Sequence, residues 1–136
     1  MSRHIPETLR LATAQRAGYR CEYCRVFERD MVYRFQGDHI ISRKHGGETI
    51  LENLAYACST CNQNKGSDLG TYLPGSNRLI RLFNPRRDHW SMHFEVNAGQ
   101  IIPLTKIGAA TVKILDLNHP DRIILRRTLI EAGRYP

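Results

Sequence analysis

The sequence predicts an α+β fold, on three observations. Two Cys-x-x-Cys pairs, Cys21/Cys24 and Cys58/Cys61, are separated by 33 residues (25–57) and can close on one another. Apolar residues recur at helical spacing near the N-terminus and again toward the C-terminus. Between them lie short alternating runs and one hairpin signal. At 136 residues and 41% hydrophobic content the chain suits one compact body with a modest core, to which a metal staple would add stability.

In chain order, Pro6 to Gly18 reads as a helix: Pro6 fits the first helical position, Leu9, Ala12 and Ala17 can face inward, and Gly18 can end it. Cys21-Glu22-Tyr23-Cys24 suits a tight metal-binding turn. Met31 to Phe35 alternates as a short strand running toward Asp38-His39-Ile40-Ile41, and Ser42 to Thr49, with Gly46-Gly47, is a loop. Asn53 to Ala57 leads to the second cysteine pair, from which a short helix runs through Asn62 and Lys65 to a Gly66 cap. Beyond a turn at Leu73-Pro74-Gly75-Ser76, the runs 93–96 and 100–104 flank Asn97-Ala98-Gly99 as a hairpin. Thr105 to Leu117 and Asp121 to Ala132 follow as helices, the second with Ile124, Leu125, Thr128 and Leu129 on one face.

Twenty Lys and Arg against 13 Asp and Glu give a formal charge of +7, which points to a polyanionic partner, nucleic acid first. The excess is uneven: residues 1–70 hold ten basic and eight acidic side chains (+2), residues 71–136 ten and five (+5). No apolar run approaches the roughly 20 residues that a membrane-crossing helix needs. The opening Met-Ser-Arg-His-Ile-Pro lacks the apolar core of a secretory signal, so a cytoplasmic location is expected. In that reducing compartment paired cysteines are read first as metal ligands, and four thiolates in two short pairs match structural Zn²⁺. A redox pair would need only one Cys-x-x-Cys within a βαβ pattern, which is missing. A closed four-sulfur shell leaves the zinc no open position for chemistry. It would instead draw Asp38-His39, inside the spanned segment, toward Asn62, directly after a ligand.

Phosphodiester hydrolysis needs a divalent ion to neutralise phosphate and a base to activate water. Asp38 and the amide oxygen of Asn62 are hard ligands suited to Mg²⁺ or Mn²⁺, and His39 can serve as base. Arg43, Lys44 and His45 lie on the neighbouring loop as phosphate contacts. Lys65 could touch the nucleic-acid backbone or cap its helix. Arg86-Arg87, with Trp90 close by, and Arg126-Arg127 carry charge that suits phosphate gripping, while Trp90 fits a core or a stacking platform.

Taken together, Cys21-Glu-Tyr-Cys24, Asp38-His39-Ile40-Ile41, Gly46-Gly47, Glu52-Asn53-Leu54 and Cys58-Ser-Thr-Cys61-Asn62-Gln-Asn-Lys65-Gly66 resemble the HNH endonuclease family over residues from about 17 to 68. The resemblance implies a small zinc-stapled ββα-metal (His-Me finger) nuclease module within residues 1–70. Residues 71–136 would form a basic C-terminal extension, hairpin plus two helices, packed on it. It implies His39 as general base, Asp38 and Asn62 as ligands of the catalytic ion, and Asn53 as the residue that fixes the loop and orients the base. Many members carry histidine where this chain has Asn62, a departure that favours Mg²⁺ or Mn²⁺ over softer ions. The expected partner is double-stranded DNA, with the protein a monomer or homodimer and no membrane involved. The rivals are a zinc-stapled module that binds nucleic acid without cutting it and a subunit of a larger complex with a vestigial site.

Overall fold

In the computed structural model, residues 5–136 are described, and the chain divides into two compact units, Met1–Asp68 and Leu69–Pro136. In the first, α1 (Glu7–Ala17) starts one residue later than expected: Pro6 is its N-cap, with a non-helical ψ of 142°, and the helix ends at Gly18, which takes the left-handed φ of 66°. α1 buries Thr13, Ala14 and Ala17, whereas Leu9 and Ala12 are only half-buried. Small residues on that face let it lie close to the strand pair that follows.

That pair is β1 (Gln36–His39) with β2 (Leu54–Ala57), antiparallel, Asp38 opposite Ala55 and His39 opposite Leu54. The strand expected over Met31–Phe35 is displaced: β1 begins at Gln36, and residues 31–33 form a bend. The physical reason is burial. Val32 is 92% exposed and Tyr33 72% exposed, so the alternation has no packed face to satisfy, and only Phe35 reaches the core, its N–H donating to Glu28 Oε2 at 2.7 Å. β2 is buried at all four residues. Tyr56 at its centre packs against Phe35, ring centroids 5.6 Å apart, and its hydroxyl donates to Glu28 Oε1 while accepting from Arg10. α2 (Ser59–Lys65) follows directly, with Cys58 as its N-cap.

The second unit opens with the two-residue strands β3 (Gly70–Thr71) and β4 (Ile80–Arg81), paired antiparallel, and the short helix α3 (Trp90–His93). The expected hairpin is β5 (Phe94–Asn97) with β6 (Gln100–Pro103). Its two-residue turn, Ala98-Gly99, has φ of 51° and 85°, the both-positive pattern whose twist matches that of paired strands. α4 (Lys106–Leu115) is capped by Thr105 Oγ1, which accepts from Gly108 N at 3.0 Å, and α5 (Pro120–Glu131) completes the unit. Trp90 belongs to an aromatic cluster, its ring centroid 4.9 Å from that of Phe94, which in turn sits 5.4 Å from Phe83. Among the described residues no helix is long and apolar enough to cross a membrane.

The expected face of α5 is corrected. Ile124 is 58% exposed, and the buried positions are Leu129 and Arg126, the latter 1% exposed. The Arg126 guanidinium donates to Gly99 O at 2.7 Å, to Leu117 O at 2.6 Å and to Asn118 Oδ1 at 3.2 Å. It therefore ties the hairpin turn to the α4–α5 connection and is not a phosphate-gripping side chain. Replacing Arg126 by Ala strands these acceptors and opens a void; we expect a loss of about 3 kcal/mol or more in thermal unfolding. A loss under about 0.5 kcal/mol, the size of an ordinary surface change, would contradict this assignment.

Candidate functional site

The Cys21–Cys24 turn and the Cys58–Cys61 turn meet in the first unit. All four Sγ atoms are buried and lie within 4.8 Å of one another. Cys24 Sγ and Cys58 Sγ stand 3.8 Å apart, the edge length of a sulfur tetrahedron with metal–sulfur distances of about 2.3 Å. The Cys24 and Cys61 N–H groups each donate to the sulfur three residues earlier, at 3.4 Å. Burial pushes the Cys21 and Cys61 thiols well up, while hydrogen bonding from Cys21 lowers Cys58. Four thiols packed this closely in an apolar site do not ionise together without a cation; the cluster suits structural zinc, which binds thiolates.

The knuckle between Cys21 and Cys24 reaches into the strand pair twice. Glu22 bonds Tyr56 through both its backbone N–H (2.9 Å to Tyr56 O) and its carboxylate, which accepts from Tyr56 N at 2.8 Å. Tyr23, fully buried, donates its hydroxyl to Asp38 Oδ2 at 2.8 Å. The cysteine frame and Asp38 are thus joined by one side chain. Sequence reading missed Tyr23, although a hydroxyl-bearing aromatic inside a Cys-x-x-Cys turn was a usable signal.

Asp38 is 3% exposed, and Lys65, at 2%, places Nζ 3.2 Å from Oδ2 and 3.4 Å from Oδ1. Burial raises the Asp38 carboxyl above its ordinary range, opposed by the Lys65 ammonium and the Tyr23 hydroxyl. Tyr23 is itself pushed well up, by burial and then by Asp38, so it stays a neutral donor. Lys65 also donates to the carbonyls of His39 (2.9 Å) and Ile40 (3.2 Å). Both expectations for Lys65 placed its ammonium at the surface or at the end of its own helix; it is instead enclosed under β1, donating to Asp38 and to the His39 and Ile40 carbonyls.

Gln36, Asp38, His39, Arg43, Lys44 and Asn62 line one cleft of about 820 Å³. Asn62 donates its amide nitrogen to Gln36 Oε1 at 2.7 Å, which commits the half of the amide that cannot ligate a cation. His39 Nε2 lies 2.8 Å from Thr49 Oγ1, and Arg43 Nη1 donates to the same hydroxyl at 3.2 Å. Asn53 ties the intervening loop: Oδ1 accepts from Ile41 N at 3.0 Å, and Nδ2 donates to Ile41 O and Glu48 O, each at 2.9 Å. Gly47 permits this closure, since a Cβ there would fall 1.7 Å from Ile41 O. Arg43, Lys44 and His45 form one exposed 3₁₀ turn, but His45 is not among the side chains lining the cleft. Arg86 and Arg87 belong to the second unit, where both follow Asn84, Arg86 N donating to its Oδ1 at 2.8 Å.

Carboxylate and amide oxygens are the donor types that hard divalent ions take. A carboxylate offers roughly four lone-pair sites, more than Tyr23 and Lys65 use, and an amide oxygen is a further hard ligand. The frame and the cleft are separable by mutation. Cys58→Ser should abolish zinc retention, read by metal analysis, and unfold the first unit, because structural zinc contributes about 10 kcal/mol or more in small metallodomains. Tyr23→Phe should keep one zinc per chain yet cost about 1–3 kcal/mol in unfolding, because Asp38 loses a buried donor. Zinc loss in Tyr23→Phe would show that the tyrosine serves the frame rather than the carboxylate.

No curated protein and no solved structure matches the chain. The HNH endonuclease family model matches residues 21–68, ending where the first unit ends. Over this segment, which holds all four cysteines, Asp38, His39, Asn53 and Asn62, the chain is matched to the HNH endonuclease family.

Proposed function

We propose that the protein is a metal-dependent endonuclease that hydrolyses phosphodiester bonds in double-stranded DNA. The observation that carries this reading is the convergence of Asp38, His39 and Asn62 on one cleft within the HNH-matched segment. Asp38 and Asn62 would hold Mg²⁺ or Mn²⁺, which when bound supplies positive charge for the phosphate and the leaving oxygen. His39 takes the proton from the attacking water; the water oxygen bonds phosphorus as the bond to the leaving oxygen breaks. Arg43 and Lys44, on the exposed turn at the rim, hold the phosphate in place. Asn53 keeps the loop that carries them closed on the end of β1. In the second unit Arg86, Arg87 and the basic excess of residues 71–136 that remains once buried Arg126 is set aside add a basic surface for the nucleic-acid backbone.

One observation favours a second reading, a nucleic-acid-binding module that does not cut. The Asp38 charge is already balanced by the Lys65 ammonium, as a purely structural carboxylate would be. Plasmid nicking separates the two. Purified protein should nick supercoiled DNA with Mg²⁺ or Mn²⁺ and stop in EDTA, while His39→Ala should lower the rate at least about 100-fold with zinc still near one per chain. Equal DNA binding by wild type and His39→Ala, with neither cutting under any divalent ion, would establish the binding module instead.

A further inference from the structure

We propose that Thr49 is a positioning residue for His39, and that Asn53 reaches the base through it. The inference rests on the reading of His39 as general base. Asn53 makes no hydrogen bond to the His39 ring; its side chain bonds Ile41 N, Ile41 O and Glu48 O. Its hold on Glu48 fixes the residue immediately before Thr49. Gly47 N donates to Ser42 O at 2.9 Å, and the close approach of Gly47 to Ile41 O leaves no room for a side chain. The closed loop thereby returns Thr49, ten residues along the chain, to within 2.8 Å of His39 Nε2.

A hydroxyl has one proton and two lone pairs. Arg43, which can only donate, takes one lone pair of Thr49 Oγ1. The other lone pair is available to an Nε2–H of His39. For His39 to accept a proton from water its Nδ1 must carry a lone pair, so the neutral ring must be the Nε2–H tautomer. Thr49 is then the acceptor that selects it. The partner of one ring nitrogen sets the state of the other, and losing the corresponding partner of a metal-bound histidine costs about 10- to 100-fold, the scale we take for His39. Arg43 has a matching second role, since by donating into the same oxygen it fixes where that hydroxyl stands.

The test compares Thr49→Val, which keeps the shape and removes the acceptor, with Thr49→Ser, which keeps the hydroxyl. We expect Thr49→Val to lower the nicking kcat about 10- to 100-fold with KM within threefold of wild type, and Thr49→Ser to recover most of the rate. Nitrogen NMR of the imidazoles at about pH 8.5, where free histidine is neutral, gives a readout independent of cutting, with the His39 signals assigned from His39→Ala. Wild type and Thr49→Ser should show Nε2 protonated, and Thr49→Val a shift of that population toward Nδ1–H. An unprotonated Nε2 in wild type, or an unchanged tautomer ratio in Thr49→Val, overturns the proposal whether or not the protein cuts DNA. Full activity of Thr49→Val beside an inactive His39→Ala overturns it while leaving the base assignment standing. Full activity of His39→Ala removes the base assignment instead, and the tautomer ratio then decides Thr49 alone.

Discussion

Everything in the first unit hangs on four sulfur atoms brought within 4.8 Å of one another by two turns that lie far apart in sequence. Sulfurs this close in a dry site need a cation to become thiolates, and once they hold one the two turns cannot separate without losing it. The consequence reaches beyond the turns. Between Cys24 and Cys58 lie β1, the loop and β2, so closing the cysteines closes that whole segment into a hairpin against α2. A segment this short has little apolar surface with which to fix itself, and the frame supplies what the core lacks.

The frame is coupled to the cleft through buried polar bonds rather than through apolar packing alone. Tyr23 and Glu22, both inside the first cysteine turn, bond Asp38 and Tyr56 respectively. Asp38 is also bound by Lys65 from α2, the helix that begins at the second cysteine turn. The carboxylate is thus gripped once from each half of the frame. This arrangement is exacting: a buried ion pair is costly to desolvate, and removing either partner leaves an uncompensated charge worth about 3–5 kcal/mol. The hydrogen bonds from Lys65 to the carbonyls of His39 and Ile40 offset part of that cost and hold the end of β1 in place.

Much of this was legible in the sequence because it is written in spacing and in local chemistry. Two Cys-x-x-Cys pairs, a Pro before and a Gly after α1, and Ala98-Gly99 between alternating runs each specify geometry through a handful of neighbouring residues. Asp38, His39 and Asn62 could be placed near one another because the cysteines set the closure. The misreadings share a different origin. Lys65 and Arg126 look like surface cations in any window of sequence, yet both are buried against carbonyl oxygens contributed from elsewhere in their own units. Met31–Phe35 has strand chemistry without a strand partner, and pairing is a non-local property. Thr49 carries no signal at all, since its meaning depends on a loop closure ten residues long.

That closure explains why a glycine and an amide matter to a histidine they do not touch. Gly47 lets the loop backbone pass against Ile41 O, a position any Cβ would block. Asn53 then bonds both ends of the loop, and the rigid arc that results presents Thr49 to the His39 ring and Arg43 to Thr49. A side chain held by one hydrogen bond keeps the freedom to rotate; a side chain bonded to a hydroxyl that is itself fixed by a guanidinium and a tethered backbone does not. The imidazole is therefore oriented by a chain of contacts that begins at the backbone of the loop, while its neighbour Asp38 is oriented by a chain that begins at the cysteines. The two adjacent residues at the end of one strand take their side-chain contacts from different parts of the unit, and Lys65 joins them through Asp38 and the His39 carbonyl.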